Sequence, residues 1–147
     1  MDDPAAAIGP VLGVPGLDVQ GVAGLDMAKG AYALALHVAA PLTIRHRDSD
    51  LPLEQAWYVY VGSARGPGGL RARLVRHMRH DKRLRWHVDA LTLAASECIA
   101  FAVPGGSKCN LATRLVASGG FAHAVPGFGS SDCRTCPSHL LVWRRSV

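Results

Sequence analysis

Residues 57–79 constrain the fold more than any other stretch of the sequence. Positions 57–61 alternate aromatic and β-branched side chains between two faces, which predicts a β-strand. Positions 62–69 contain four glycines and one proline, so the backbone can bend sharply there. Positions 70–79 place apolar residues at i, i+4 and i+8, which predicts a helix that is otherwise strongly basic. A strand, a tight turn and a basic helix therefore follow one another directly.

Three side chains that can take part in catalysis or binding lie at this strand–helix junction. Tyr60 is near the end of the strand, and Arg73 and His77 are one helical turn apart. A tyrosine, an arginine and a histidine close together suit chemistry on a phosphate group. The alternative is that Tyr60 is an ordinary aromatic residue of the sheet and that the arginines form a solvated helix face.

The distribution of charge predicts a polyanionic partner. The chain has 147 residues, which fits one domain with its own core, and its formal net charge is +5. Residues 65–85 contain eight lysines or arginines and a single acidic residue. Such a cluster is typical of nucleic-acid binding, although a surface adapted for solubility has the same composition. The predicted nucleic-acid contacts in this region are Arg65, Arg71, Arg76, Arg79, Lys82 and Arg83.

The remaining elements can be placed from periodicity and turn residues. Residues 1–29 are rich in glycine, proline and alanine without a stable period, which predicts a flexible leader before a domain at 30–147. Residues 48–52 have the composition of a turn. Strands are predicted at 30–39, 42–47, 55–63, 97–103 and 139–144, and helices at 70–79, 86–95 and 107–117.

The sequence offers no candidate for membrane insertion or export. The longest apolar run, residues 31–41, contains His37 and is too short to span a bilayer. The N-terminal residues begin with acidic side chains, and glycine and proline break the apolar stretch that follows. We therefore expect a cytoplasmic protein with reduced cysteines and no obligate protein partner.

Two tripeptides resemble the paired motifs of the GIY-YIG nuclease superfamily. They are Gly30-Ala31-Tyr32 on the first predicted strand and Tyr60-Val61-Gly62 on the third, followed by a helix that carries Arg73 and His77. The resemblance extends over residues 30–143 to one branch of the superfamily, sometimes found fused to endonuclease III. The further stretches that resemble this branch are 58–64, 66–70, 86–89, 127–133 and 138–140.

The resemblance implies a single α/β (α+β) domain with a small, mainly antiparallel sheet flanked by helices. It also implies hydrolysis of phosphodiester bonds in DNA with one divalent metal, Mg²⁺ or Mn²⁺, in DNA repair or processing. Tyr32 would be the general base or would position the attacking water, and Tyr60 would assist at the phosphate. Arg73 would stabilise charge on the phosphoryl oxygens, and His77 would orient water or a tyrosine.

The superfamily's usual metal ligand is missing. That ligand is a glutamate on a later helix, whereas the corresponding residues 108–114 include no carboxylate. Mg²⁺ requires hard oxygen ligands, so Asp89, Asp132 or Glu97 would have to replace it. Otherwise the chain is a nucleic-acid-binding module that does not cut.

A second metal site is suggested by the spacing Cys133-x-x-Cys136-x-x-His139. Together with Cys109 or Cys98 these residues would make a tetrahedral Zn²⁺ site, and the chain would then be a zinc-stabilised interaction protein. The alternatives are reduced, buried thiols or a redox-labile pair.

Three further polar residues are candidate nucleic-acid contacts. His87 either faces a phosphate or hydrogen-bonds a loop. Ser130 and Ser131 belong to a glycine-rich loop that would line the substrate groove.

Overall fold

The computed structural model describes residues 3–46, 48–86, 88–125 and 138–144. Within these ranges, five strands form one antiparallel sheet and two form a separate hairpin, and helices cover both faces of the sheet. The sheet order is β5-β1-β4-β7-β6, and the architecture is the predicted single α+β domain. The elements are α1 Ala5–Leu12, α2 Val19–Ala23, β1 Gly30–Val38, β2 Leu42–His46, β3 Ser49–Leu53, β4 Ala56–Ala64, α3 Gly69–Met78, α4 Asp89–Ala94, β5 Glu97–Pro104, α5 Lys108–Ala117, β6 Phe121–His123 and β7 Leu140–Trp143.

The strands that carry the two tripeptides, β1 and β4, lie side by side. They pair antiparallel, with Tyr32 opposite Gly62 and Leu34 opposite Tyr60. Because residues opposite each other and two apart along a strand share a face, Tyr32 and Tyr60 point to the same side. We call this side of the sheet, which carries Tyr32 and Tyr60, the tyrosine face.

A hydrophobic core lies on each face of the sheet. On the tyrosine face, leucines of β1 pack against α3 and α4, and on the opposite face small and aromatic residues pack against α1 and α5. Successive side chains of β1 and β4 point to opposite faces of the sheet. Because both faces are buried, each of these strands contributes to both cores. Representative residues are Leu34, Leu36, Leu70, Leu74 and Leu91 on the tyrosine face, and Ala33, Val59, Phe101, Leu111 and Leu115 on the other.

The segment before β1 is folded onto the domain, which corrects the prediction that residues 1–29 are a flexible leader. Within its described part, Ile8 of α1 and Val22 of α2 are each 0% exposed, one in the core of each face. Leu17 also exchanges two backbone hydrogen bonds with Ala100 of β5, of 2.7 and 2.9 Å. Isolated apolar residues between glycines and prolines gave no periodic signal, yet Ile8, Leu12 and Val22 are buried.

Two other boundaries differ from the prediction. The predicted turn at 48–52 is largely strand β3, because Leu51 and Leu53 alternate with polar neighbours and Leu53 is buried beneath the hairpin. The predicted helix 86–95 begins only at Asp89, whose carboxylate holds the preceding backbone in a loop. None of the described helices has the length and apolar character needed to cross a membrane.

The turn from β4 into α3 fixes where the basic helix begins. Gly68 and Gly69 both have left-handed backbone angles, with φ of 83° and 58°. A Cβ on Gly69 would lie 2.6 Å from the carbonyl carbon of Met27, so only glycine fits there. The Leu70 N–H donates to the Ala28 carbonyl at 2.9 Å. The start of α3 is thereby attached to the segment that leads into β1.

Candidate active site

The Tyr32 hydroxyl and the His77 imidazole meet between β1 and α3. Tyr32 Oη lies 2.6 Å from His77 Nε2. Each residue is 1% exposed, because the sheet and the leucine-lined face of α3 close over them. The hydrogen bond is therefore shielded from bulk water, and its electrostatic strength is greater than at the surface.

Both groups are neutral at rest. Burial, the nearby Lys82 charge and two arginines lower the pKa of His77 to about 3. Burial and the proximity of Tyr60 raise the pKa of Tyr32 well above its ordinary value, and the charge of Arg73 opposes this rise. With the ring proton on Nδ1, His77 accepts the Tyr32 O–H at Nε2. A neutral imidazole in this position is able to take up the tyrosine proton.

Tyr60 completes a cluster of three rings on the tyrosine face. Its ring centroid lies 6.4 Å from that of Tyr32 and 6.3 Å from that of His77. Gly62 makes room for this cluster, since a Cβ there would lie 2.5 Å from Tyr32 Cζ and 3.0 Å from Tyr60 Cε2. The glycine of the second tripeptide is thus required by the close approach of the first tripeptide's tyrosine.

Arg73 joins the cluster from α3 through contacts with Trp86. The Arg73 guanidinium carbon lies 4.3 Å from the Trp86 ring centroid, and its charge lowers the pKa of Tyr32 against the effect of burial. The Trp86 and His77 ring centroids are 5.6 Å apart. The four residues predicted as catalytic, Tyr32, Tyr60, Arg73 and His77, therefore converge, with Trp86 beside them.

Asp89 is a structural carboxylate, which corrects its prediction as a metal ligand. Its side chain is fully buried, and its two oxygens accept bonds of 3.0 Å each from the Arg76 guanidinium. Oδ2 also accepts the backbone N–H groups of Arg85 and Trp86, at 2.7 and 2.9 Å. Burial alone would raise the pKa of Asp89, but these hydrogen bonds lower it to about 2. Both oxygens are committed to protein donors, so Asp89 does not fit a metal.

Lys82 is also structural, which corrects its prediction as a nucleic-acid contact. Its ammonium donates to the backbone carbonyls of Arg76 and His77 at 3.3 and 2.6 Å. A third bond of 2.6 Å goes to Thr92 Oγ1 of α4. Lys82 thus binds the carbonyls that end α3 and attaches them to α4.

Of the other predicted basic contacts, Arg76 is largely buried in its ion pair with Asp89, and the rest lie at the surface. Arg65, Arg71, Arg79 and Arg83 are exposed, and Arg79 forms an exposed ion pair of 3.0 Å with Asp81. Their role in nucleic-acid binding stays a prediction. The predicted contacts His87, Ser130 and Ser131 lie outside the described residues.

The metal predicted for the tyrosine face stays a prediction, because the described residues show no cluster of ligands that would test it. No group of three or more His, Cys, Asp or Glu residues with the required proximity occurs among the described residues. Helix α5, where the resemblance would place the metal ligand, packs on the opposite face of the sheet. Glu97 is also distant from Tyr32, because it pairs with His37. His37 is five residues along β1 from Tyr32, which corresponds to about 17 Å. Of the predicted replacement carboxylates only Asp132 is left, and it lies outside the described residues.

Half of the predicted zinc set comes together on the opposite face of the sheet. Cys109 Sγ of α5 lies 3.4 Å from Nε2 of the fully buried His139. Cys133 and Cys136 lie outside the described residues, so zinc stays a prediction. Cys98 is not its fourth ligand, because it packs with the tyrosine-face core, on the other side of the sheet from Cys109.

Trp86 is the main site residue that the sequence did not reveal. Its ring contacts both Arg73 and Arg76, the latter at 4.0 Å. The two arginines are three positions apart and share one face of α3, which was a visible signal. What brings Trp86 to them is the loop held by Asp89, and this is a tertiary feature without a sequence pattern.

Residues 31–147 match a protein family described as a domain of unknown function, DUF123, and the chain belongs to that family. No curated protein and no solved structure matches the chain.

Proposed function

We propose that this member of the DUF123 family is a GIY-YIG-type endonuclease that hydrolyses phosphodiester bonds in DNA. The observation that carries the proposal is the convergence of Tyr32, Tyr60, Arg73 and His77 at one junction of β1, β4 and α3. The proposed setting is the cytoplasm, and the proposed role is DNA repair or processing. The role rests on the resemblance alone.

The chain's own residues supply a proton path and a positive charge. In the proposed mechanism a water attacks phosphorus and gives a proton to Tyr32 Oη, while the tyrosine proton passes to His77 Nε2, whose low pKa the negative charge of the bound phosphate raises. The bond from phosphorus to the leaving sugar oxygen breaks, and that oxygen takes a proton from solvent. Arg73 donates to the non-bridging oxygens, where negative charge develops.

The divalent cation implied by the resemblance has a weak basis in the described residues. Asp89 is engaged by Arg76 and two backbone donors, so it supplies no free oxygen. A requirement for Mg²⁺ or Mn²⁺ therefore depends on a carboxylate such as Asp132. No step of the proposed mechanism uses the cation, and its requirement is left to the assay.

The proposal is tested by a cleavage assay on end-labelled single-stranded, duplex and branched DNA. Reactions contain Mg²⁺, Mn²⁺ or EDTA, beside a Tyr32→Phe variant that keeps the ring and removes the hydroxyl. We expect cleavage by the wild type that is lost in the variant. Absence of cleavage on all three substrates with either cation would reject the proposal.

The second candidate is a nucleic-acid-binding module without hydrolytic activity. The commitment of Asp89 to Arg76 is the observation that favours it, because the exposed basic residues remain while a metal ligand is lost. Salt-sensitive DNA binding without cleavage distinguishes this candidate from the nuclease.

A further inference from the structure

A pocket of about 250 Å³ opens beside the candidate active site. Its walls are the glycine-rich turn at Gly66 and Pro67, the first turns of α3, and the loop that carries Arg85 and Trp86. Arg73 lines this pocket and also acts electrostatically on Tyr32. Arg73 therefore links the pocket to the place where the reacting phosphate would bind in the proposed function.

Three guanidinium groups surround one aromatic ring in this pocket. The guanidinium carbons of Arg73, Arg76 and Arg85 lie 4.3, 4.0 and 5.8 Å from the Trp86 ring centroid. The π face of tryptophan attracts cations, which allows these charges to be close together. The three positive charges nevertheless repel one another, and an anion bound in the pocket would offset this repulsion.

Few carboxylates of the described residues lie close enough to neutralise these three arginines. Asp89 forms the ion pair with Arg76, and no carboxylate lines the pocket. Within the described part of the chain, neither Arg73 nor Arg85 has a carboxylate within ion-pair distance. Three positive charges against one negative charge leave an excess of two. An anion that accepts planar, two-pronged hydrogen bonds from arginine fits this excess. Carboxylates and phosphates both have that geometry, and the proposed nucleic-acid substrate supplies phosphates.

We infer that this pocket binds a second phosphate group of the nucleic-acid strand, adjacent to the phosphate at Tyr32. The inference rests on the proposed function for its ligand class. Arg85 binds this second phosphate and Arg73 lies between it and the reacting phosphate, while Arg76 and Trp86 hold the two guanidinium groups in place. The absence of a side chain at Gly66 leaves one wall open to the strand.

The first test uses inorganic phosphate as the probe. The indole N–H signal of Trp86, identified by its loss in Trp86→Phe, is followed by NMR during a phosphate titration. We expect a saturable shift in the wild type and an affinity lowered about tenfold in Arg85→Ala. Arg83→Ala is the matched control, since this exposed arginine is two residues away and does not line the pocket. Equal affinities in the two variants would overturn the inference.

The second test uses single-stranded DNA in EDTA, so that binding is measured without cleavage. One lost phosphate contact is expected to reduce the slope of log K against log salt by about 0.7 in Arg85→Ala. The control here is Arg45→Ala, which should keep the wild-type slope, because this exposed arginine of β2 does not line the pocket and is not a predicted nucleic-acid contact. Strands with a 5′-phosphate or a 5′-hydroxyl identify the source of the phosphate. A loss that persists on the hydroxyl strand assigns an internal phosphodiester, and a loss confined to the phosphorylated strand assigns a terminal phosphate.

The inference and the proposed function can fail separately. If the chain cuts DNA while Arg85→Ala binds inorganic phosphate as tightly as Arg83→Ala does, the pocket is rejected and the nuclease stands. If Arg85→Ala loses affinity for inorganic phosphate while the wild type does not cut DNA, the pocket stands and the nuclease is rejected.

Discussion

Replacing Asp89 by asparagine is expected to destabilise the protein by about 3 kcal/mol. The asparagine keeps the shape of the side chain but presents an amide NH₂ group and no charge to the Arg76 guanidinium. Removing one partner of a buried ion pair costs about 3–5 kcal/mol. The Arg76 side chain is 23% exposed, so water compensates part of its charge and the lower end of that range applies.

The pKa of Asp89 gives a second measure of the same contribution. Its lowering from 3.8 to about 2 corresponds to about 2.5 kcal/mol of folding stability at neutral pH. Because the folded pKa is below the unfolded value, this stabilisation is present above about pH 4. It is lost as the pH falls from about 4 to about 2. The stability difference between wild type and Asp89→Asn should shrink over the same interval.

The assay is thermal unfolding followed by circular dichroism, at pH 7 and at lower pH, with and without Mg²⁺. For a chain of this length, 3 kcal/mol corresponds to a decrease of about 10 °C in Tm. Asp81→Asn is the control, because its exposed pair with Arg79 should contribute little that is measurable. A variant as stable as the wild type, or a Mg²⁺-dependent stabilisation that only the wild type shows, would refute a structural role for Asp89.

Three other substitutions probe the site. Gly62→Ala should cost about 1–3 kcal/mol in urea unfolding and displace the Tyr32 ring, because the new methyl group meets that ring. Lys82→Met should cost about 1–3 kcal/mol in the same assay, because it removes the ammonium that donates to the His77 carbonyl and the Thr92 hydroxyl. The His77 imidazole should stay neutral by NMR at pH 5. Wild-type stability should fall as the pH drops from 6.5 towards 3, with less decline in His77→Gln, because the unfolded histidine binds a proton that the folded one does not.

Each of these expectations has a contrary result. Unchanged urea midpoints for Gly62→Ala or Lys82→Met would show that the close approach or the carbonyl contacts are not needed. A His77 ring that titrates near 6.5 would place it in contact with water. Identical pH profiles for wild type and His77→Gln would remove His77 as the source of the acid sensitivity.

The strand–turn–helix unit could be predicted because its signals are local. Alternation in β4, glycines at the turn and a leucine stripe in α3 all depend on neighbours in sequence. The meeting of Tyr32 with His77 could be predicted only through the resemblance to a known superfamily. No periodicity links residues 45 positions apart.

Other features depend on tertiary contacts that leave no pattern. Ile8 and Val22 are buried against the sheet although glycine and proline interrupt their surroundings. The charge of Asp89 looked available for a metal, and its use by Arg76 depends on the loop between α3 and α4. Lys82 has the composition of a nucleic-acid contact, whereas its ammonium is bonded to the end of a helix.

The measurement that tests the central proposal most directly compares Arg73→Ala with Arg71→Ala in single-turnover DNA cleavage. The two arginines are on the same helix, but Arg73 lies against Trp86 at the site and Arg71 is exposed. If Arg73 stabilises charge on the reacting phosphate, Arg73→Ala should slow cleavage by about a hundredfold or more when protein saturates the DNA, with Tm largely retained. Arg71→Ala should remain within a few-fold of wild type. Equal rates for the two variants would contradict the assignment of this cluster as a nuclease active site.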